Sequence, residues 1–395
     1  MHKYNILRSV AFVFVALFGI CFAVTNTNEL NTNILSKHQN ELSAWEIFGE
    51  SSCISHGPAS SLGDRFSPSQ QLYIIYSAVN YGRRATVQRY TESNGWEYVG
   101  SSKGFSDGAT SYNRFGFNAN TGELFVGYAD VSHGNYASVM KYTGTSWEYV
   151  GARGFSNGAI SDLSMGISPV DQSIYMFFPD TQRGGRASMM RYDGESWGYV
   201  GDRAFTPSAT SVSMWFNPST KEPYVVYIDV NNANKVSVMK YNGESWEYVG
   251  PKDFSPSASN ARITFNPVTS DVYVAYGNLA NSNKVEVMKF NGTSWELVGE
   301  KGISSGSIAD LSFSFNPVNK EPYLAYPQQN GTDGGNRITV KRFNGSSWVV
   351  VGSPAFTSIN ATEVSMTWNS QTGQPYVIYP NNFGCATIMY NTNPE

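Results

Sequence analysis

A Trp-x-x-x-Gly marker recurs seven times at intervals near fifty residues, and every interval carries four strand-like runs. Charged side chains make up 15% of the chain and aromatic ones 14%. Together these features predict an all-β chain, a seven-bladed β-propeller built of four-stranded repeats. The low charge and the abundance of Tyr, Phe, Trp and Gly suit short strands joined by tight turns. They exclude a disordered chain, and three Cys exclude a disulfide-dense scaffold. A net charge of -4 with scattered Lys and Arg gives no footprint for nucleic acid.

The elements follow in chain order. His2, Lys3 and Arg8 precede an uncharged apolar run to Val24, with a small residue at Ala23. This pattern predicts a secretory signal peptide over residues 1–23. The run is short for a membrane-spanning helix, although retention as an anchor stays open. Residues 24–43 are polar and rich in Asn and Thr, which predicts a flexible spacer. Residues 44–395 are then one propeller, exported to the extracellular space or a periplasm, with no further membrane span and a monomeric state expected.

The markers start at Trp45, Trp96, Trp147, Trp197, Trp246, Trp295 and Trp348, with Trp215 and Trp368 outside the pattern. Within one unit the pieces are SVSMWFN, the turn PSTKEP, YVVY, a longer polar loop, KVSVMKY, the turn NGES, and the marker strand. Asn-Pro and Asn-Gly turns between runs of Tyr, Val, Phe and Trp are hairpin signals. The repeat begins on its last strand, residues 44–49, and ends after the third strand of the seventh unit, residues 386–390. The N-terminal strand therefore has to complete the C-terminal blade, which closes the ring and removes open edges. Cys53 follows the first strand and Cys385 precedes the last. Their offset predicts a disulfide clasping the closure, the alternative being two buried thiols.

The Tyr-x-x-x-x-Trp pairs Tyr142/Trp147, Tyr192/Trp197 and Tyr241/Trp246 resemble kelch-type and galactose-oxidase-like propeller repeats. The double glycine of the kelch repeat is mostly missing, with Gly184-Gly185 and Gly334-Gly335 coming nearest. The resemblance implies architecture and not activity. The VMKYNGxSWEYVG phrasing is similar to secreted propeller repeats.

Catalytic signatures are lacking. Only His56 and His133 fall in the propeller, and no His/Cys metal spacing, nucleophile elbow, phosphate loop or EF-hand pattern exists. Two polar rings remain on the face that carries the loops of variable length. Ser61, Tyr112, Asp162, Ser211, Asn260, Asp310 and Glu363 occupy equivalent positions at the start of the inner strands, where they should ring the channel mouth. They read either as a solvated rim or as a site where Asp162, Asp310 and Glu363 hold a cation such as calcium.

The second ring flanks the variable loop. Asp130, Asp180 and Asp229, with Asn278 and Asn381, end the second strand; Arg84, Tyr136, Arg186, Lys235, Lys284 and Arg337 begin the third. They read as ion pairs closing the loop base or as pockets for sugar hydroxyls, with Tyr81, Tyr136 and Phe383 offering stacking faces. The repeated Trp reads as packing. Sequons at Asn291, Asn330, Asn344 and Asn360 are candidate glycosylation sites. The leading expectation is a secreted, non-catalytic, lectin-like module binding a glycan or cell surface through several loops. The alternatives are a hydrolase or lyase using Asp162, Asp310 and Glu363 on a polysaccharide or lactone, or an extracellular scaffold for a protein partner.

Overall fold

Strand-forming runs become strands where their alternate residues find a neighbouring blade to pack against. A computed structural model describes residues 44–49, 51–100, 104–330, 335–357 and 360–393. The expected signal peptide and spacer lie outside the described residues. The described chain forms seven four-stranded antiparallel sheets, each ordered inner, second, third, outer strand. Blades 1 to 6 span residues 59–98, 110–149, 164–199, 209–248, 258–297 and 312–350. Blade 7 takes its inner three strands from residues 365–391 and its outer strand from Trp45–Ile47.

Blade 4 shows the local logic. Its strands are Ala209–Phe216, Pro223–Asp229, Lys235–Tyr241 and Trp246–Tyr248. Asn217 stops the inner strand because its Oδ1 accepts the Ser219 and Thr220 amides at 2.8 and 3.0 Å. Such a side-chain acceptor holds a tight turn without a strand partner. Asn118, Asn266, Asn316 and Asn369 do the same in other blades.

The core is not central. Seven clusters of buried Val, Ile, Leu, Met, Tyr and Phe each lie between two successive blades, including blades 7 and 1. The marker belongs to these junctions. The Trp197 indole donates to the Val150 carbonyl of the blade before at 2.7 Å, stacks on Phe155 at 3.8 Å, and lies over Gly151. A Cβ on Gly151 would stand 2.9 Å from that indole, and its φ of +69° is one that glycine adopts without strain. Trp and Gly of the marker thus serve different junctions, each Trp covering the preceding blade's Gly.

Ring closure follows the expected pattern. Trp45 pairs with Asn391 and Ile47 with Met389 in antiparallel register, and the Trp45 indole donates to Val351 O at 2.9 Å. Cys53 and Cys385 form a disulfide with a Cα–Cα distance of 4.9 Å across 332 residues of sequence. Chain entropy gives a bridge over so long a loop about 6 kcal/mol. Asn381 Nδ2 and Thr387 Oγ1 both donate to Ser52 O at 2.6 Å, fastening the same seam.

Candidate functional site at the channel mouth

Each inner strand starts on the variable-loop face, so its first residues rim the central channel. The seven expected positions follow two local rules. Ser61, Tyr112, Ser211 and Asn260 sit at φ of 50 to 54°, inside bulges of their inner strands. Blades 3, 6 and 7, which carry Asp162, Asp310 and Glu363, have no bulge there, and their inner strands begin two residues later. A bulge leaves a backbone N–H without a ladder partner.

Asp162 and Glu363 answer that need across the blade junction, and Asp310 reaches an amide of the unbulged blade 7 in the same way. Asp162 Oδ2 accepts the Val212 amide at 2.9 Å, and Glu363 Oε2 the Leu62 amide at 3.1 Å. Asp310 Oδ2 accepts the Val364 amide at 3.0 Å, and Ser61 Oγ accepts the Tyr112 amide at 3.2 Å. Each of these side chains latches its blade to the next. Among the described residues no three His, Cys, Asp or Glu side chains are grouped to hold a metal ion. The three acids stand on separate blades, each with a carboxylate oxygen turned to a backbone donor.

Inside the mouth lies a cavity of about 450 Å³ whose lining includes Tyr112, Arg114, Arg262, Asp310, Glu363 and Ser365. Arg262 Nη2 meets Asp310 Oδ1 at 3.0 Å. Arg114 donates to the Asn113 carbonyl at 2.9 Å. Burial pushes the Arg114 guanidinium below its ordinary pKa, against the pull of Asp162, Asp310 and Glu363. Burial raises the Glu363 carboxyl and, with help from Asp162, the Tyr112 phenol. Tyr112 is 37% exposed at the rim. The result is a concave polar site with fixed acceptors, two guanidiniums and a phenol. Arg114 and Arg262 were missed in the sequence; their signal is a basic residue two positions after the channel-mouth residue.

The second ring holds its expected register but not its expected ion pairs. Asp180 stands opposite Arg186, Asp229 opposite Lys235 and Asp130 opposite Tyr136. The charge partners come from elsewhere. Arg153 meets Asp130 at 2.7 Å, Arg203 meets Asp180 at 2.6 Å, and Lys252 meets Asp229 at 3.6 Å. These cations follow the marker glycine by two residues and also lie over Tyr149, Tyr199 and Tyr248. A strand-end carboxylate is thus buried by the loop that leads to the next blade, not by its own hairpin. Asn278 donates to Glu286 at 2.9 Å, and Arg186 Nε donates to Thr206 O at 2.8 Å.

Arg84, Lys235, Lys284 and Arg337 each stand on a different blade around the face. Of the expected stacking residues, Tyr81 packs against the buried cluster between blades 7 and 1, and Tyr136 meets His133 edge-on. Phe383 is 81% exposed beside the disulfide, its amide held by Asn381 Oδ1 at 2.9 Å. Asn291, Asn344 and Asn360 are exposed. Asn291 and Asn344 lie in turns before outer strands, and Asn360 Oδ1 accepts the Asn336 amide at 2.6 Å.

No protein-family model matches the chain. No curated protein matches it either. Solved structures do. The BP39L lectin from Burkholderia pseudomallei superimposes with a TM-score of 0.58 at 15% identity, over 86% of this chain and 98% of that one. An ulvan lyase from a new family of polysaccharide lyases, bound to -[GlcA(1-4)Rha3S]-, gives 0.52 at 11% identity, over 88% and 94%. AofleA from Arthrobotrys oligospora gives 0.50 at 11%, over 78% and 90%. At such identities the likeness is one of fold. The chain is a seven-bladed β-propeller. No helix among its described residues is long and apolar enough to cross a membrane.

Proposed function

We propose that this protein is a secreted, non-catalytic, lectin-like glycan-binding propeller whose ligand sits at the channel mouth on the variable-loop face. The observation that carries the reading is the polar cavity of about 450 Å³. Its Arg114, Arg262 and Tyr112 donors are interleaved with acceptors that blade-to-blade bonds hold still, a preorganised lining for sugar hydroxyls. The likeness to a lectin fold agrees with it, as does a disulfide, which suits an oxidising compartment. The kelch-like Tyr/Trp spacing contributes the blade pattern and no chemistry.

The enzymatic reading keeps one specific support, the carboxyl of Glu363, raised by burial at the same mouth. A glycan array probed with the purified chain, with and without calcium, tests the binding reading. Selective retention of a glycan family is expected; an array silent under both conditions contradicts it. Turnover of a retained glycan that Glu363→Gln abolishes would transfer the site to a hydrolase or lyase.

A further inference from the structure

The two Trp outside the marker, Trp215 and Trp368, lie at the other end of the channel, on the face of short uniform turns. There the inner strands end. Their last-but-one positions hold Arg65, Gly116, Gly166, Trp215, Thr264, Ser314 and Thr367. Two consecutive blades therefore present bare backbone. A Cβ on Gly166 would stand 2.8 Å from Met214 Cε and 3.0 Å from Phe216 Cε2, and one on Gly116 would stand 3.1 Å from Ile167 Cδ1. The glycines let apolar side chains of the next blade press onto the strand and give a flat apolar floor. Above it is a cavity of about 420 Å³ whose wall includes Trp215 and whose rim includes Arg65 and Lys221.

Trp215 is 45% exposed, so its indole face is available. Arg65 is exposed to the channel on blade 1, where burial lowers its pKa against the pull of Asp64; among the described residues no hydrogen bond or ion pair holds its guanidinium. It also borders an adjoining cavity of about 430 Å³ beside Trp368. An indole face beside an apolar floor selects a ring with one apolar face, such as a pyranose. A guanidinium whose donors are not taken by a protein hydrogen bond selects a planar anion, and a carboxylate matches its fork of donors.

We propose that this lower channel mouth is a second binding site, for a uronic-acid residue of a polysaccharide, with Trp215 stacked on the sugar ring and Arg65 paired to its carboxylate. Burial raises the neighbouring Asp64 to about 7, so below that pH it is mostly neutral and competes little for Arg65. The lower cavity shares Arg65 and Phe115 with the cavity at the upper mouth but not Trp215, so Trp215→Thr is the variant that separates binding here from binding there.

The test is calorimetric titration of the full chain with trigalacturonate, its fully methyl-esterified form, and benzoate. Thr occupies the same position in blades 5 and 7, so Trp215→Thr and Arg65→Thr are substitutions the ring already accommodates, and their melting temperatures verify folding. The acid is expected to bind at least tenfold more tightly than the ester and more tightly than benzoate. Trp215→Thr should weaken acid binding at least tenfold, and Arg65→Thr should erase the preference over the ester. Absence of trigalacturonate binding, equal affinity for the ester, tighter binding of benzoate, or folded variants that bind like the wild type would each overturn the proposal.

Discussion

Asp64 interrupts the apolar pattern of the inner strands. The matching residues of the other six blades are Phe115, Met165, Met214, Ile263, Phe313 and Met366, all apolar and all buried except Met165, which packs half-buried against a core cluster. Asp64 is 6% exposed, and neither carboxylate oxygen makes a well-formed hydrogen bond. Burial outweighs the easing from Ser365 and Arg65 and lifts its pKa to about 7. Between the unfolded value near 4 and this folded one, the native chain holds a proton that the unfolded chain releases. Stability therefore falls as pH rises through that window and levels off above it, by up to about 4 kcal/mol in all. Denaturant titrations at pH 4.5 and 7.5 should show this loss in the wild type. Asp64→Met, which restores the residue of blades 3, 4 and 7, should remove most of it and be the more stable form at pH 7.5. This position was legible as an exception in the aligned repeats, but only burial reveals its consequence.

At the scale of the strand, the start of each inner strand is the informative feature. An acid at this position goes with a short, unbulged strand, and a Ser, Tyr or Asn goes with a bulge. The acid then supplies the acceptor that the neighbouring backbone lacks. Losing an acceptor to a buried amide costs about 1–3 kcal/mol. Asp162→Ala should lower stability by about that amount, since it strands the Val212 and Leu163 amides. Asp162→Asn, which keeps a carbonyl oxygen, should cost less, and urea midpoints of the two variants measure the difference. A seven-residue ring at the channel mouth was readable from spacing alone. Its role as a set of latches was not, because each side chain's partner lies on the next blade, 50 to 54 residues away in sequence or, for Glu363, 301. A separation of 23 residues likewise hid Arg153, Arg203 and Lys252 as partners of Asp130, Asp180 and Asp229. Cross-strand register suggested the hairpin neighbour; the longer reach of Arg and Lys from the next loop won.

At the scale of the whole ring, the blade number, the shared closing blade and the clasp were all written in the repeat phase, because marker spacing and the positions of Cys53 and Cys385 constrain closure directly. Function is less legible, since a symmetric scaffold spreads the loop-base charges over many blades and satisfies them there. What symmetry cannot supply is concentrated on the axis, where seven inner strands meet and contribute five residue types at one position. Under the proposed function, that contrast predicts one loop-face site per chain in place of one per blade. Calorimetric titration of a neutral glycan retained on the array measures that number. The expected result is a stoichiometry of one, with affinity at least tenfold lower in Tyr112→Asn, a substitution matching Asn260 of blade 5 at the same backbone angle. A stoichiometry of several sites per chain, or undiminished affinity in the folded Tyr112→Asn protein, would contradict an axial glycan site.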